Sequence, residues 1–251
     1  MNSGAEPTQQ QLSVLKEHLK CARFIKAEKI AKSITKDFPN YQFAWKVLWA
    51  VLKKTGKIKE SLSAIQKSVQ LSPEDPKEHY MLGITLQKLE RLKEAQACFT
   101  KAIVLKPDYY QAHYRLGITH EKLEKIKEAE ISYRKATVYK MDHHLAHYHL
   151  GRVLQKQGRS VDAEASFKMV IALKPELPTP YNDLGLILQE LGKLEEAEKS
   201  FNQAINLKPD FAEAYNNLGN SLKKLGKLKG AEESYLKAIQ LKPGSAQVYN
   251  N

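Results

Sequence analysis

Residues 212–245, AEAYNNLGNSLKKLGKLKGAEESYLKAIQLKPGS, carry the pattern that decides the fold of the chain. An aromatic residue, an apolar residue, a small residue and a helix-ending proline stand at fixed places within these 34 residues. The stretch 178–211 repeats the pattern in register, with Gly185 and Pro209 where 212–245 has Gly219 and Pro243. The sequence therefore predicts helix-turn-helix units that recur at this interval.

Each unit is predicted to contain two amphipathic helices, because its apolar residues recur at three- and four-residue intervals in two separate stripes. Gly219 and Ala231 are expected to face each other where the two helices touch, since small side chains let the backbones approach. A Leu-Lys-Pro ending, as at 241–243, stops the second helix because proline disfavours helix. Aspartates near the helix starts are predicted N-caps, namely Asp75, Asp108, Asp142 and Asp210.

These residues resemble the tetratricopeptide repeat (TPR) family, whose unit is a helical hairpin of this length. The resemblance implies an all-α, right-handed solenoid, or superhelix. Residues 1–7 are predicted to be a disordered N-terminus, and 246–251 to be a truncated eighth repeat. The seven complete repeats are predicted at 8–41, 42–75, 76–109, 110–143, 144–177, 178–211 and 212–245. Because 246–251 would end early in a helix, we hypothesise that the chain is part of a longer protein.

The composition of the 251 residues is that of an ordinary soluble protein, with 42% hydrophobic and 27% charged residues. No apolar run approaches the roughly 20 residues of a membrane span, and the start MNSGAEPTQQ lacks the features of a signal peptide. We therefore expect a soluble, cytoplasmic protein that does not insert into a membrane. The net charge of +12 favours acidic partners.

In the TPR family the first helices line the concave surface. The resemblance implies that residues one, two and five places after the aromatic opening residue meet the ligand. In the N-terminal half of the chain these places carry aromatic and cationic residues, and in the C-terminal half they carry amides. The predicted peptide-binding groove consists of Lys46, Tyr80, Tyr114, Arg115, Tyr148, His149, Arg152, Asn182, Asn216, Asn217, Asn220, Asn250 and Asn251.

The asparagines resemble the ladder by which the TPR superhelix of O-GlcNAc transferases binds a peptide backbone. An amide both donates and accepts hydrogen bonds, so it can bind an extended backbone regardless of sequence. The tyrosines would add apolar contact, and Arg115 and Arg152 would select acidic sequence. The alternative is that the asparagines and tyrosines are repeat consensus residues that only pack against their neighbours.

Histidines cluster at His143, His144, His147 and His149, which raises the possibility of a zinc site. However, His147 recurs at the same place of the repeat as His79 and His113, which favours a packing role. The remaining three do not have the spacing of a closed tetrahedral set. We therefore predict no metal.

The function predicted from the sequence is that of a protein-interaction scaffold or adaptor, which binds an extended peptide or a partner helix in its concave groove. No enzyme activity and no cofactor are predicted for this chain, because it lacks a glycine-rich phosphate loop and a nucleophile elbow. One alternative is a substrate-recruiting arm of a larger, glycosyltransferase-like modifying enzyme whose catalytic domain lies beyond Asn251. Another is self-association through an uncapped C-terminal end. Nucleic acid is not a predicted partner, because no aromatic-rich nucleic-acid motif accompanies the lysines.

Overall fold

The computed structural model describes residues 6–243, and within that range the chain forms fourteen α-helices and no strand. The second helices of successive repeats begin 34 residues apart, so the all-α hairpin architecture predicted from the sequence is confirmed. The helices are α1 (Gln9–Lys20), α2 (Phe24–Asp37), α3 (Gln42–Lys54), α4 (Ile58–Leu71), α5 (Pro76–Lys88), α6 (Leu92–Leu105), α7 (Tyr110–Lys122), α8 (Ile126–Tyr139), α9 (His144–Lys156), α10 (Ser160–Leu173), α11 (Pro178–Glu190), α12 (Leu194–Leu207), α13 (Ala212–Lys224) and α14 (Leu228–Leu241).

Three predictions concern residues at the two ends of the chain. Asn250 and Asn251, and with them the predicted eighth repeat, lie outside the described residues. The same is true of all but the last two residues of the predicted disordered start.

The chain divides into two compact units, Met1–Lys125 and Ile126–Asn251. The first unit contains α1 to α7 and the second contains α8 to α14. Within each unit consecutive helices pack on one another in series. First helices of neighbouring repeats also contact each other, as α5 contacts α7 and α11 contacts α13. Each unit is therefore a row of hairpins that share their cores with the next hairpin.

Inside the hairpins a glycine of the first helix lies against an aromatic ring of the second. A Cβ atom on Gly219 would be 2.5 Å from Cε1 of Tyr235, and one on Gly83 would be 2.6 Å from Cε1 of Phe99. The sequence predicted that Gly219 would face Ala231, and the atoms that the structure places nearest to a Cβ at Gly219 belong to the ring of Tyr235.

One of the four predicted aspartate caps is present. The Oδ1 atom of Asp75 accepts a hydrogen bond from the backbone N–H of Lys77 at 2.9 Å. The predictions for Asp108, Asp142 and Asp210 are wrong, because the N-cap residues there are Tyr109, His143 and Phe211. Since the first helices of these repeats keep the 34-residue spacing, the N-cap falls one residue after each of these aspartates.

Ion pairs link the second helices of neighbouring repeats. A cation just before one second helix reaches a glutamate 29 residues earlier, on the preceding second helix. The pairs are Lys57–Glu28 at 2.9 Å, Arg159–Glu130 at 2.7 Å, Lys193–Glu164 at 2.9 Å and Lys227–Glu198 at 2.7 Å. At the corresponding place Lys125 donates instead to the amide oxygen of Gln96 at 3.2 Å. These contacts help to fix the distance between one hairpin and the next.

Candidate functional site

In α3, α5, α7 and α9 the aromatic opening residue of the repeat is held by a hydrogen bond to a carbonyl six residues earlier. Trp45 Nε1 donates to the carbonyl of Pro39 at 2.9 Å. The Nε2 atoms of His79, His113 and His147 lie 2.7, 2.8 and 2.9 Å from the carbonyls of Pro73, Pro107 and Met141, respectively. A carbonyl oxygen only accepts, so Nε2 carries the proton in each ring.

These histidines therefore hold the loop that precedes each first helix, which agrees with the structural role predicted for them. Among residues 6–243 no group of three or more His, Cys, Asp or Glu side chains is arranged to hold a metal ion.

In the first unit, the predicted groove residue Lys46 is half-buried and paired with two carboxylates of the protein itself. Its Nζ lies 2.6 Å from Oε1 of Glu78 and 3.3 Å from Oδ2 of Asp75. The Glu78 side chain is fully buried, so Lys46 supplies its counter-charge. Burial alone would lower the pKa of Lys46, but its bonds to Glu78 and Asp75 outweigh that effect and raise the pKa. The charge of Lys46 thus joins the second repeat to the third.

Two further polar contacts connect the first helices of this unit. Trp49 on α3 donates its indole N–H to Oγ1 of Thr85 on α5 at 2.8 Å. Gln87 on α5 donates to Oγ1 of Thr119 on α7 at 3.0 Å. Arg115, a predicted groove residue, has Nη1 3.4 Å from Oε1 of the same Gln87. A buried amide therefore positions the guanidinium group.

The two tyrosines predicted for the groove of the first unit are half-buried. The ring of Tyr80 packs among other aromatics, with centroid distances of 6.0 Å to Phe99 and 5.1 Å to Tyr109. Burial raises the pKa of Tyr114, so its hydroxyl stays protonated at neutral pH. Part of each tyrosine surface is thus used for packing, as the alternative interpretation of these residues proposed.

In the second unit, a chain of neighbouring polar side chains connects three successive first helices. The hydroxyl of Tyr148 on α9 lies close to the carboxylate of Asp183 on α11, and each group shifts the pKa of the other. The neighbouring Asn182 directs Nδ2 toward Oδ1 of Asp183 at 3.4 Å. Asn217 on α13 donates Nδ2 to Oδ1 of Asn182 at 3.0 Å. We call these four residues the polar chain.

Burial dominates the electrostatics of the polar chain. It raises the pKa of Asp183 even though the bonds from Tyr148 and Asn182 and the charge of Arg152 act in the opposite direction. The pKa of Tyr148 is raised by burial first and then by the negative charge of Asp183. Arg152 is exposed beside this pair and Glu213 adds a negative charge, so the surface carries both signs.

Three other residues of the predicted groove, His149, Asn216 and Asn220, also lie in the second unit. His149 stacks on Tyr133 at 5.3 Å between ring centroids and meets Tyr148 edge-on at 5.9 Å. Asn220 accepts a hydrogen bond from the hydroxyl of Tyr235 at 2.8 Å through Oδ1. Asn216 is half-buried.

The structure thus brings Tyr148, Arg152, Asn182 and Asn217 together around Asp183, which the predicted groove left out. A signal was present in the sequence, because Asp183 occupies the same place of its repeat as the predicted Arg115 and His149 do in theirs. Glu213 was also missed, and nothing in the repeat pattern distinguishes it from other exposed glutamates.

Hairpins in series with polar residues on their first helices define a helical-repeat protein. A family profile described as TPR repeat matches residues 187–226, and two described as tetratricopeptide repeat match 80–140 and 212–245. The chain therefore contains tetratricopeptide repeats. No curated protein sequence matches it significantly. No helix in the described part of the chain is both long and apolar enough to cross a membrane.

Solved structures share the fold. The crystal structure of YrrB, described as a TPR protein with an unusual peptide-binding site, is 25% identical with a TM-score of 0.70, covering 74% of this chain and 96% of YrrB. The C-terminal part of a TPR repeat-containing protein from Cytophaga hutchinsonii is 13% identical with a TM-score of 0.77. The match covers 95% of this chain and 98% of that one. PilF of Pseudomonas aeruginosa is 16% identical with a TM-score of 0.69, and the match covers 83% of this chain and 95% of PilF. This fold is typical of protein-interaction scaffolds.

Proposed function

We propose that the chain is an interaction scaffold that binds an extended segment of a partner protein along α9, α11 and α13. The observation that carries the proposal is the polar chain, Tyr148–Asp183–Asn182–Asn217, which connects these three helices. Contacts between these side chains, including the hydrogen bond from Asn217 to Asn182 at 3.0 Å, hold them in fixed orientations before any ligand arrives. Such preorganisation reduces the entropy that is lost on binding.

The amides suit the backbone of an extended peptide, which alternates donors and acceptors. Asn182 and Asn217 are buried and bonded to each other, so we assign contact with the peptide backbone to the half-exposed amides of Asn216 and Asn220. Because the oxygen of Asn220 accepts from Tyr235, its NH2 group is oriented as a donor. Exposed Arg152 would favour a carboxylate in the bound segment. The proposal thus assigns backbone recognition to the amides and charge preference to Arg152.

The likeness to YrrB supports the proposal. The chain matches 96% of that protein at 25% identity, and YrrB is described as having a peptide-binding site. Two half-exposed asparagines on α13, Asn216 and Asn220, lie in the family's ligand-facing places and complete the surface.

A selection of random peptides displayed on phage, followed by calorimetry with the tightest peptide, tests the proposal. We expect Asn216→Ala and Arg152→Gln each to weaken binding about tenfold, the loss of roughly one good hydrogen bond to a ligand. Asn202→Ala, at an exposed place on α12, is the matched control and should leave the affinity unchanged. If Asn216→Ala and Arg152→Gln bind like the parent chain, the surface along α9, α11 and α13 is not the binding site.

A further inference from the structure

We propose that the first unit contains a separate binding site for a dianionic group on a peptide, formed by Lys53 on α3, Lys88 on α5 and Arg115 on α7. The group is either a phosphorylated side chain or a pair of adjacent carboxylates, which share the same charge. The site lies in a different unit from the polar chain and shares no residue with it.

Lys53 is the centre of this site, and its position is fixed. The side chain is half-buried, and its Nζ lies 4.7 Å above the centroid of the Trp49 ring. The indole of Trp49 is in turn held by its hydrogen bond to Thr85. A cation over an aromatic face is stabilised, but the ring does not neutralise its charge.

The three cations of the site are not balanced by acidic side chains. Other lysines of the unit have carboxylate partners, for example Lys57 with Glu28 at 2.9 Å and Lys122 with Glu90 at 2.7 Å. In the described part of the first unit, no ion pair includes Lys53, Lys88 or Arg115.

The electrostatics of Lys53 agree with this geometry. Burial lowers the pKa of Lys53, and the positive charges of Lys88, Arg115 and Lys54 lower it further. The charged groups that act on Lys53 are thus all cations. A half-buried cation among other cations raises the free energy of the unliganded protein, and a bound anion would relieve that repulsion.

The guanidinium group of Arg115 is positioned to bind the anion. Its Nη1 lies 3.4 Å from Oε1 of Gln87, and Gln87 is buried and bound to Thr119. Four of the five guanidinium N–H donors are not used by that contact. The guanidinium fork matches the oxygens of a phosphate or carboxylate in a bidentate manner. Because the positive charges of Lys88 and Arg115 both act on half-buried Lys53, a dianion is a better match than a single carboxylate.

The test uses three synthetic peptides with one alanine-glycine host sequence, containing phosphoserine, a glutamate pair or serine at the same place, together with inorganic phosphate. The indole N–H resonance of Trp49, observed by NMR in a Trp45→Phe background, reports binding because Lys53 lies on its ring. We expect at least one dianionic peptide to shift the resonance saturably and to bind at least about tenfold more tightly than the serine peptide.

Variants locate the site. Lys88 is exposed and Lys53 is half-buried. We expect Lys88→Gln and Lys53→Gln each to weaken binding of the dianionic peptide about tenfold. Lys59→Gln, at an exposed lysine on α4, is the matched control and should bind like the parent chain. Circular dichroism should show the same helix content in all of them.

The outcomes separate the possibilities. Tighter binding of the phosphoserine peptide assigns the site to a phosphorylated partner, and equal or tighter binding of the glutamate peptide assigns it to an acidic segment. The proposal is overturned if no dianionic peptide saturates, if only inorganic phosphate binds, or if Lys88→Gln binds like the parent chain. Asn216→Ala should not change this affinity, so failure of the polar-chain proposal and failure of this one are distinguishable.

Discussion

Gly185 on α11 lies so close to the ring of Phe201 on α12 that a Cβ atom at Gly185 would be 2.5 Å from Cε1. The ring itself is fully buried. In the first repeat the two corresponding places carry Leu15 and Ala31. The large residue is therefore on the first helix of that hairpin and the small residue is on the second. The total side-chain volume across the hairpin is thereby roughly kept, which is the kind of exchange that cores tolerate best.

Replacing Gly185 by alanine should destabilise the protein, because the added methyl group overlaps the Phe201 ring. We expect a loss of about 1–3 kcal/mol, the usual cost of overpacking a core, measured by urea unfolding. Gly230→Ala on α14 is the control, since its Cβ would meet only the flexible end of Leu222 at 3.3 Å. Helix propensity should make that change neutral or stabilising. Equal losses in both variants would contradict the argument.

Lys46→Met should destabilise the first unit, because it removes the counter-charge of the fully buried Glu78. The expected loss is about 3 kcal/mol, as for other buried pairs that lose one partner. A second change, Glu78→Gln, should recover much of that loss because no unpaired charge then remains. Thermal unfolding of the single and double variants measures the coupling. If the two losses simply add, the pair does not stabilise the fold.

Asn182→Ala should lower stability more than Asn216→Ala does. Asn182 is 1% exposed and accepts from Asn217, so its removal leaves a buried amide hydrogen of Asn217 without that acceptor. The expected cost is about 1–3 kcal/mol, by chemical denaturation. At Asn216, which is half-buried, we expect the effect on peptide binding to exceed the effect on stability. The reverse order of stabilities would contradict the assignment of the polar chain.

Gln96→Glu should stabilise the first unit slightly, because it gives Lys125 the carboxylate partner that its counterparts in other repeats have. The gain should be about 0.2–1 kcal/mol and should decrease with added salt, as for other exposed pairs. Gln66→Glu, at an exposed place on α4, is the control and should give no such gain. A gain that salt does not reduce would point to a different cause.

Stability should decrease in acid, and Glu164 should contribute to the decrease. Hydrogen bonds from Lys168 and Lys193 hold the pKa of Glu164 below its ordinary value in the folded protein. Its contribution is therefore present above the pKa of the unfolded chain and is lost as the pH falls through the folded-state pKa. Denaturation midpoints measured from about pH 7 to about pH 3 should fall less steeply for Glu164→Gln than for the parent chain.

Asp183 is the control, because its effect on the pH dependence of stability should have the opposite sign to that of Glu164. Burial raises its pKa in the folded protein, so folding is favoured when this carboxyl is protonated and disfavoured as the pH rises through the raised pKa. Asp183→Asn should remove that opposing contribution and make the fall in acid steeper. A shallower fall would contradict the raised pKa of this half-buried carboxyl group.

Repetition made the fold predictable from the sequence. Features such as Gly219 and Pro243 act through neighbours a few residues away or within one hairpin, and they recur at the same places in successive repeats. Local effects that recur reinforce one another, so the helix pairs and their period follow from the sequence. Leu15 and Trp49 stand where later repeats carry glycine, but only the contact of Gly219 with Tyr235 in the structure identified the places of Ala31 and Ile65 as the ones opposite them.

The sequence by itself determined the period, the helical hairpins and the kind of repeat that this protein contains. The tertiary structure decided which polar groups satisfy one another: Asn217 with Asn182, Lys46 with Glu78, and Lys53 with the ring of Trp49 but no carboxylate. The first two contacts join residues 35 and 32 positions apart, on neighbouring first helices. Whether such side chains meet depends on the distance between two hairpins and on the side-chain rotamers, which the spacing of residues along the chain does not specify.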